Sequence, residues 1–341
     1  MARKDGKYTL YFDLIRITAI LFVLYNHSST MGFELYTLTD NPYTFPLYIV
    51  MATICKAGVP LFLMVSGALL LGKEESVKDL YTRRVSRMVI ALILFSFVMH
   101  VKTYGFSEFG LFFQNLLGNN VSPAPFWYLY SYLGYLIMLP FLRSLVKNAG
   151  NHVTYLLAVC TAFMLMLPAL RYICGINIAG EFDVPMTAQF IIYPVIGYML
   201  SKLELNWKQL TGAAVMTVIS VGAAYLLLTK TLAYDPRTQF GLSEFIFWIS
   251  VFLFMVLKKL GNMLNPEGVF GRICALVGAC TFGIYLLEPF MIRSLMYRVA
   301  YIFVPYIPSV LAVCVGCVAA VCVGTGVVWV MRKIPVINKL L

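Results

Sequence analysis

The sequence predicts an all-α polytopic membrane protein, a bundle of about ten transmembrane helices, and three observations carry that prediction. Of 341 residues, 61% are hydrophobic and only 12% are charged, with a mean hydropathy of +0.83. A soluble domain carries roughly 25% charged residues, and a soluble chain of this length would need them to face water. A bilayer-embedded bundle does not, because lipid covers most of its outside. Apolar runs long enough to cross hydrocarbon recur along the whole chain, and Lys and Arg concentrate on alternate connections between them.

The runs fall at approximately 10–30, 46–72, 86–104, 126–147 and 152–174 in the first half. The second half supplies 184–203, 209–230, 240–260, 271–297 and 305–332. Each is near the ~20 residues that span a bilayer as a helix. The connections are short and no internal repeat is visible, so residues 1–341 read as a single membrane domain with no room for a soluble catalytic one. The N-terminus, Met-Ala-Arg-Lys-Asp-Gly-Lys, has the positive start of a signal peptide. Asp13 and Arg16 interrupt the run that follows, and no small-residue cleavage site comes after it, so a retained first helix is expected. Residues 105–125 are moderately apolar but too short to span, and read as a re-entrant or interfacial segment on the outer side, ended by Pro123 and Pro125.

With the N-terminus inside, eighteen Lys and Arg residues fall on cytoplasmic segments and six on the other side, leaving Arg16 and Lys56 within helices. That bias makes both termini cytoplasmic and the protein multi-pass, with the bacterial inner or plasma membrane as the expected location. It also accounts for the net charge of +11. No basic helix or aromatic-basic strand pattern of the nucleic-acid kind is present. The eight cysteines lie in or at the edge of apolar stretches. Cys314 and Cys317 form a C-x-x-C with no His or second pair nearby, so packing between helices is expected and no metal site.

The first run holds the residues that a membrane tolerates least. Arg16 and His27 are eleven residues apart, which on an α-helix is three turns plus roughly 20°, so they share one face about 16 Å apart along the axis. Asp13 sits one turn before Arg16, where a local ion pair lowers the cost of burying each. An Arg or Asp at the membrane centre costs at least about 2.5 kcal/mol to insert, so such residues usually face a polar cavity. Lys56 lies some ten residues into the second run, beside Gly58 and Pro60, where a helix break would expose backbone to such a cavity.

Five segments, in order, resemble the acyltransferase-3 family of integral membrane O-acyltransferases. The R-x10-H of Arg16 and His27 looks like the family's first-helix signature. Gly-Val-Pro-Leu-Phe-Leu-Met-Val-Ser-Gly (58–67) is similar to its second helix. Tyr-Thr-Arg-Arg-Val-Ser-Arg (81–87) resembles the R-x-x-R entering the third, mapping to Arg84 and Arg87. Phe-Trp-Tyr-Leu-Tyr (126–130) looks like the Trp-containing helix, and Thr-Phe-Gly-Ile-Tyr-Leu-Leu-Glu-Pro (281–289) resembles the ninth-helix motif. The chain departs from the family where members commonly show His and this one has Pro125 and Glu288. His27 is then the only histidine at a family motif, since His100 and His152 lie elsewhere.

The resemblance implies an acyl-CoA co-substrate on the cytoplasmic side, acetyl-CoA being the first expectation, with no tightly bound cofactor and no metal. It implies a hydroxyl acceptor such as a cell-envelope glycan, reached within or across the membrane. Histidine has an unperturbed pKa near 6.5 and suits the removal of the acceptor's proton, so His27 is the expected base, with Arg16 and Glu288 in the catalytic set. An acyl-His intermediate is equally compatible with the residues. CoA phosphates call for cations, and Arg16, Arg84, Arg87 and Lys56 are the candidates. Asp13, Trp127 and Tyr128 are the candidates for substrate contact, the aromatics also fitting an interfacial belt. Ser66, with no base adjacent, is expected to serve close packing with Gly67. The alternative function is a transporter or flippase of an envelope intermediate, the charges lining its path. A third reading is small-molecule uptake or sensing. The sequence leaves the oligomeric state open.

Overall fold

The computed structural model describes residues 3–4, 7–39, 41–106, 108–117, 126–148, 152–179, 189–230 and 245–341. Pro123 and Pro125 of the sequence reading lie outside the described residues. The elements are α1 (Leu10–Asn26), α2 (Phe45–Cys55), α3 (Gly58–Leu70), α4 (Ser86–Tyr104), α5 (Phe109–Leu117), α6 (Trp127–Asn148) and α7 (Val153–Thr161). They continue with α8 (Gln189–Lys202), α9 (Trp207–Lys230), α10 (Ile246–Met263), α11 (Val269–Leu287), α12 (Arg293–Phe303), α13 (Ser309–Met331) and α14 (Pro335–Asn338). A two-residue antiparallel ladder, Arg3–Lys4 with Lys7–Tyr8, precedes α1. The protein is an all-α, multi-pass membrane bundle: among the described residues, eight helical stretches are long and apolar enough to cross a bilayer. The other two expected spans are present as α1, of 17 residues, and α8, of 14 described residues.

α1 is the hub. It packs against α3, α10, α11 and α13, and Ile15, Ala19, Ile20 and Leu24 are wholly buried there. A 17-residue helix is only ~26 Å long, shorter than a ~30 Å hydrocarbon core. The chain leaves helical geometry at His27 and returns through the short 3-10 turns Ser29–Met31 and Leu35–Leu38. Irregular backbone is tolerated at such depth only where protein or a polar cavity surrounds it. Buried Ser28 supplies part of that surrounding, donating to the Tyr25 carbonyl at 2.6 Å and accepting from the Phe33 N–H at 2.9 Å. On the periphery, Ile90, Ile93, Phe141, Leu145 and Val218 point outward, as a lipid-facing surface requires.

The second expected run is broken into α2 and α3, as Gly58 and Pro60 suggested, but the break falls earlier, at Lys56–Ala57. Within 105–125 the described part is the nine-residue α5, whose Phe112 packs on His100 and Phe97 and whose Leu116 carbonyl accepts from Tyr130 at 2.5 Å. That helix lies against α4. Lys258, counted in the sequence as a loop charge, is buried inside α10. Its ammonium donates to the carbonyls of Leu200, Ser201 and Leu203 at 2.7–2.9 Å, capping the end of α8.

α3 and α8 cross at backbone distance. A Cβ on Gly67 would lie 1.9 Å from the Pro194 carbonyl oxygen, and one on Gly197 2.1 Å from that of Met64. Small residues allow such approach in membranes, where apolar side chains gain nothing by leaving lipid. Gly67→Ala is expected to destabilise the bundle by at least about 1–3 kcal/mol, because backbone has to move. The readout is the thermal midpoint of the detergent-solubilised protein; an unchanged midpoint would mean that the two helices are not in register at Gly67.

Candidate active site

His27 is the first residue past α1, with its N–H still bonded to the Val23 and Leu24 carbonyls. Its Nδ1 lies 3.0 Å from Oε1 of Glu288, off the line of a straight hydrogen bond. Catalytic contacts are commonly loose before substrate binds. Glu288 is 1% exposed, and such a carboxylate needs a partner. Arg293 supplies it with a fork: Nε donates to Oε1 at 2.5 Å and Nη2 to Oε2 at 2.7 Å. Tyr297 closes the constellation, its hydroxyl donating to the His27 carbonyl at 3.0 Å.

The backbone explains how Glu288 and Arg293 meet. Residues five apart on an α-helix diverge by about 140°. Pro289 has no N–H to give, and the chain opens into a π-turn over Glu288–Ile292 between α11 and α12. The wider turn brings both side chains to one side, against the end of α1. Single π-turns within long helices recur at functional sites for this reason.

His27 opens on a cavity of about 960 Å³. Arg16, Lys56, Arg83, Arg84, Arg87 and Arg332 line it, and no Asp or Glu side chain does among the described residues. Arg16 and His27 are on the same wall, as their spacing required. Asp13 is paired with Arg16 at 2.8 Å but is 2% exposed and packed on Gly278 behind it. The lining residues do not include Asp13. Trp127 and Tyr128 both line the cavity, with Tyr128 stacked on Tyr132 at 5.7 Å and edge-on to Tyr285 at 5.6 Å. Ser66 lines it as well, while its neighbour Gly67 does the packing. His100 is buried away from the cavity, 3.2 Å from the Glu108 carbonyl, and His152 is exposed just before α7.

Hydrogen bonds hold several of the arginines in place. Nε of Arg84 donates to both oxygens of Glu75, at 3.0 and 3.2 Å, and Arg143 reaches the same carboxylate at 3.2 Å. Burial alone would raise the Glu75 carboxyl, but hydrogen bonds from Arg84 and Arg143, with the charge of Lys73 nearby, hold it below the usual range. The clamp is therefore intact at neutral pH and is lost only in acid, as pH falls through that lowered value. Arg87 donates to the main-chain carbonyls of Leu340 and Leu341, both at 3.1 Å, and Arg332 to that of Ala279 at 3.3 Å.

Lys56 stands apart from these. Nδ2 of Asn26 donates to the Cys55 carbonyl at 2.8 Å, which ties the residue before His27 to the residue before Lys56. Its ammonium lies over the Phe33 ring, 4.7 Å from the centroid. The sequence grouped Lys56 with the phosphate-binding cations; in the fold it sits at the His27 end.

A family model described as an acyltransferase domain matches residues 9–329, nearly the whole chain. The chain belongs to the acyltransferase-3 family. It is a multi-pass membrane enzyme that transfers acyl groups. No curated protein and no solved structure matches it. In this acyltransferase the sequence reading missed Arg293, Arg332 and Glu75. Arg293 had a signal: it is a charge inside the apolar run 271–297, five residues after Glu288, but it was counted as an outer-side charge. Arg332 and Glu75 stand at helix ends, where polar residues are ordinary and carry no such mark.

Proposed function

We propose that the enzyme moves an acyl group, acetyl in the first instance, from cytoplasmic acyl-CoA to a hydroxyl of a cell-envelope glycan or related acceptor, with His27 as base. The observation that supports this best is a cavity of about 960 Å³ with six cationic side chains, one histidine and no Asp or Glu side chain among its described lining residues. CoA carries a pyrophosphate and a 3′-phosphate, and such a cationic wall suits a polyanion. Arg84, Arg87 and Arg332 are the residues for its phosphates. Arg16, held by Asp13, lies between them and His27, and Trp127 and Tyr128 offer faces to a sugar or to adenine. The excess of Lys and Arg on alternate connections supports a cytoplasmic side for the phosphate end and for both termini.

His27 would act through Nε2. With Nδ1 against the Glu288 carboxylate, the tautomer that carries its hydrogen on Nδ1 is favoured, leaving the Nε2 lone pair for the acceptor's proton. The imidazolium that results stands at the C-terminal end of α1, where the helix dipole favours positive charge by about 0.3–1 kcal/mol.

The test is purified protein with radiolabelled acetyl-CoA, following CoA release and label transfer to envelope glycans. Absence of both, together with no measurable acyl-CoA binding, would overturn the reading. Arg87→Ala is expected to weaken CoA binding about tenfold, the loss of one charge-assisted hydrogen bond. An unchanged Kd would leave Arg87 the role of fastening Leu340 and Leu341.

A further inference from the structure

The donor's phosphates account for the arginines, and His27 accounts for the proton, but an acyl transfer has a third demand. When a hydroxyl oxygen attacks a thioester, the carbonyl electron pair moves onto the carbonyl oxygen, and a buried site must hold that charge. Among the described residues one cation stands at the His27 end without a carboxylate at ion-pair distance: Lys56. Its ring contact with Phe33 leaves the ammonium's hydrogens unassigned, and Glu34 acts on it only from longer range.

Two separate ties set Lys56 beside the base. The first is the Asn26–Cys55 hydrogen bond, which joins the residues immediately before His27 and Lys56 at 2.8 Å. The second runs through the loop after α1: the Lys56 ammonium lies on Phe33, and the Phe33 N–H is bonded to Ser28, the residue after His27. Both Lys56 and His27 line the cavity. Lys56 stands at the break between α2 and α3.

We infer that Lys56 is a catalytic residue that stabilises the oxyanion of the tetrahedral intermediate. This rests on the acyl-CoA reading above. The acceptor oxygen forms a bond to the thioester carbon as its proton passes to Nε2 of His27, and the carbonyl oxygen takes the displaced electron pair facing the Lys56 ammonium. The pair then returns, the C–S bond breaks, and the departing thiolate takes the proton back from His27. Lys56 keeps all its protons throughout and supplies charge alone.

The experiment is hydrolysis of acetyl-CoA by the purified enzyme, which uses water as acceptor and passes through the same kind of intermediate. Lys56→Met should lower kcat about 10²–10³-fold, the cost of one oxyanion donor, while the Kd for CoA stays unchanged. Lys56→Arg, which keeps the charge, should recover part of that rate, and unchanged CoA binding shows that the variants are folded. Equal kcat in Lys56→Met and the parent would overturn the inference alone. So would a rise in the CoA Kd at unchanged kcat, which would return Lys56 to the phosphate-binding set. A parent enzyme that releases no CoA would overturn the acyl-CoA reading as well.

Discussion

Replacing His27 with alanine is expected to lower kcat for acyl transfer by about 10²–10⁴, the usual contribution of a positioned base. Acyl-CoA binding should survive, because Arg84, Arg87 and Arg332, proposed above for its phosphates, are hydrogen-bonded to Glu75, to the Leu340 and Leu341 main chain and to Ala279 rather than to the imidazole. The side chain is 23% exposed and opens on the cavity, so the substitution removes little packing. Its buried partner is the concern. Glu288 keeps both bonds to Arg293 when the imidazole is gone, which should leave the fold intact. His27→Gln separates shape from chemistry: it fills the same volume and accepts no proton, and it should be as slow as alanine. Full turnover in either variant, measured as CoA release with bound acetyl-CoA, would remove His27 from the reaction.

Arg293→Ala carries the second largest expectation, and here stability and rate should both fall. Removing one member of a buried ion pair leaves the other uncompensated and costs about 3–5 kcal/mol. The carboxylate concerned is 1% exposed, and apart from the off-line His27 contact its hydrogen bonds come from this one guanidinium. Without Arg293 the Glu288 side chain has no fixed position from which to orient His27, so transfer should slow even below the melting transition. A double change, Glu288→Leu with Arg293→Met, distinguishes the two effects. Replacing both partners with apolar residues is often neutral for stability, so the thermal midpoint should return toward that of the parent while activity does not. A double variant with parental activity would mean that the pair serves the fold only.

Much of the fold could be read before any coordinate was seen, because hydrocarbon imposes a cost on each residue separately. Run length, the first-helix charges and the break signalled by Gly58 and Pro60 are local signals: helices stand at the runs, Asp13 and Arg16 pair on α1, and the break falls just before, at Lys56–Ala57. The Arg16–His27 spacing placed both on one wall because helix geometry alone settles which residues share a face. Glu288 was the least secure of the expected site residues, since it stands where family members commonly show His. Its contact is with a residue far away in the chain, and no spacing within the sequence expresses that distance.

The membrane class, the family and the shared face of Arg16 and His27 on α1 are thus properties of the sequence. Each follows from residue types and intervals within one helix. Tertiary structure decided who meets whom: Glu288 and Arg293 through a π-turn, Asp13 paired with Arg16 but outside the cavity lining, and Lys56 on the Phe33 ring with Cys55 before it tied to Asn26. A buried charge announces its cost in its own sequence neighbourhood, but its partner is chosen by which helices pack. Here α1 packs on α3, α10, α11 and α13, and those helices bring the partners to it. The first helix carries the histidine; the rest of the bundle determines what that histidine can do.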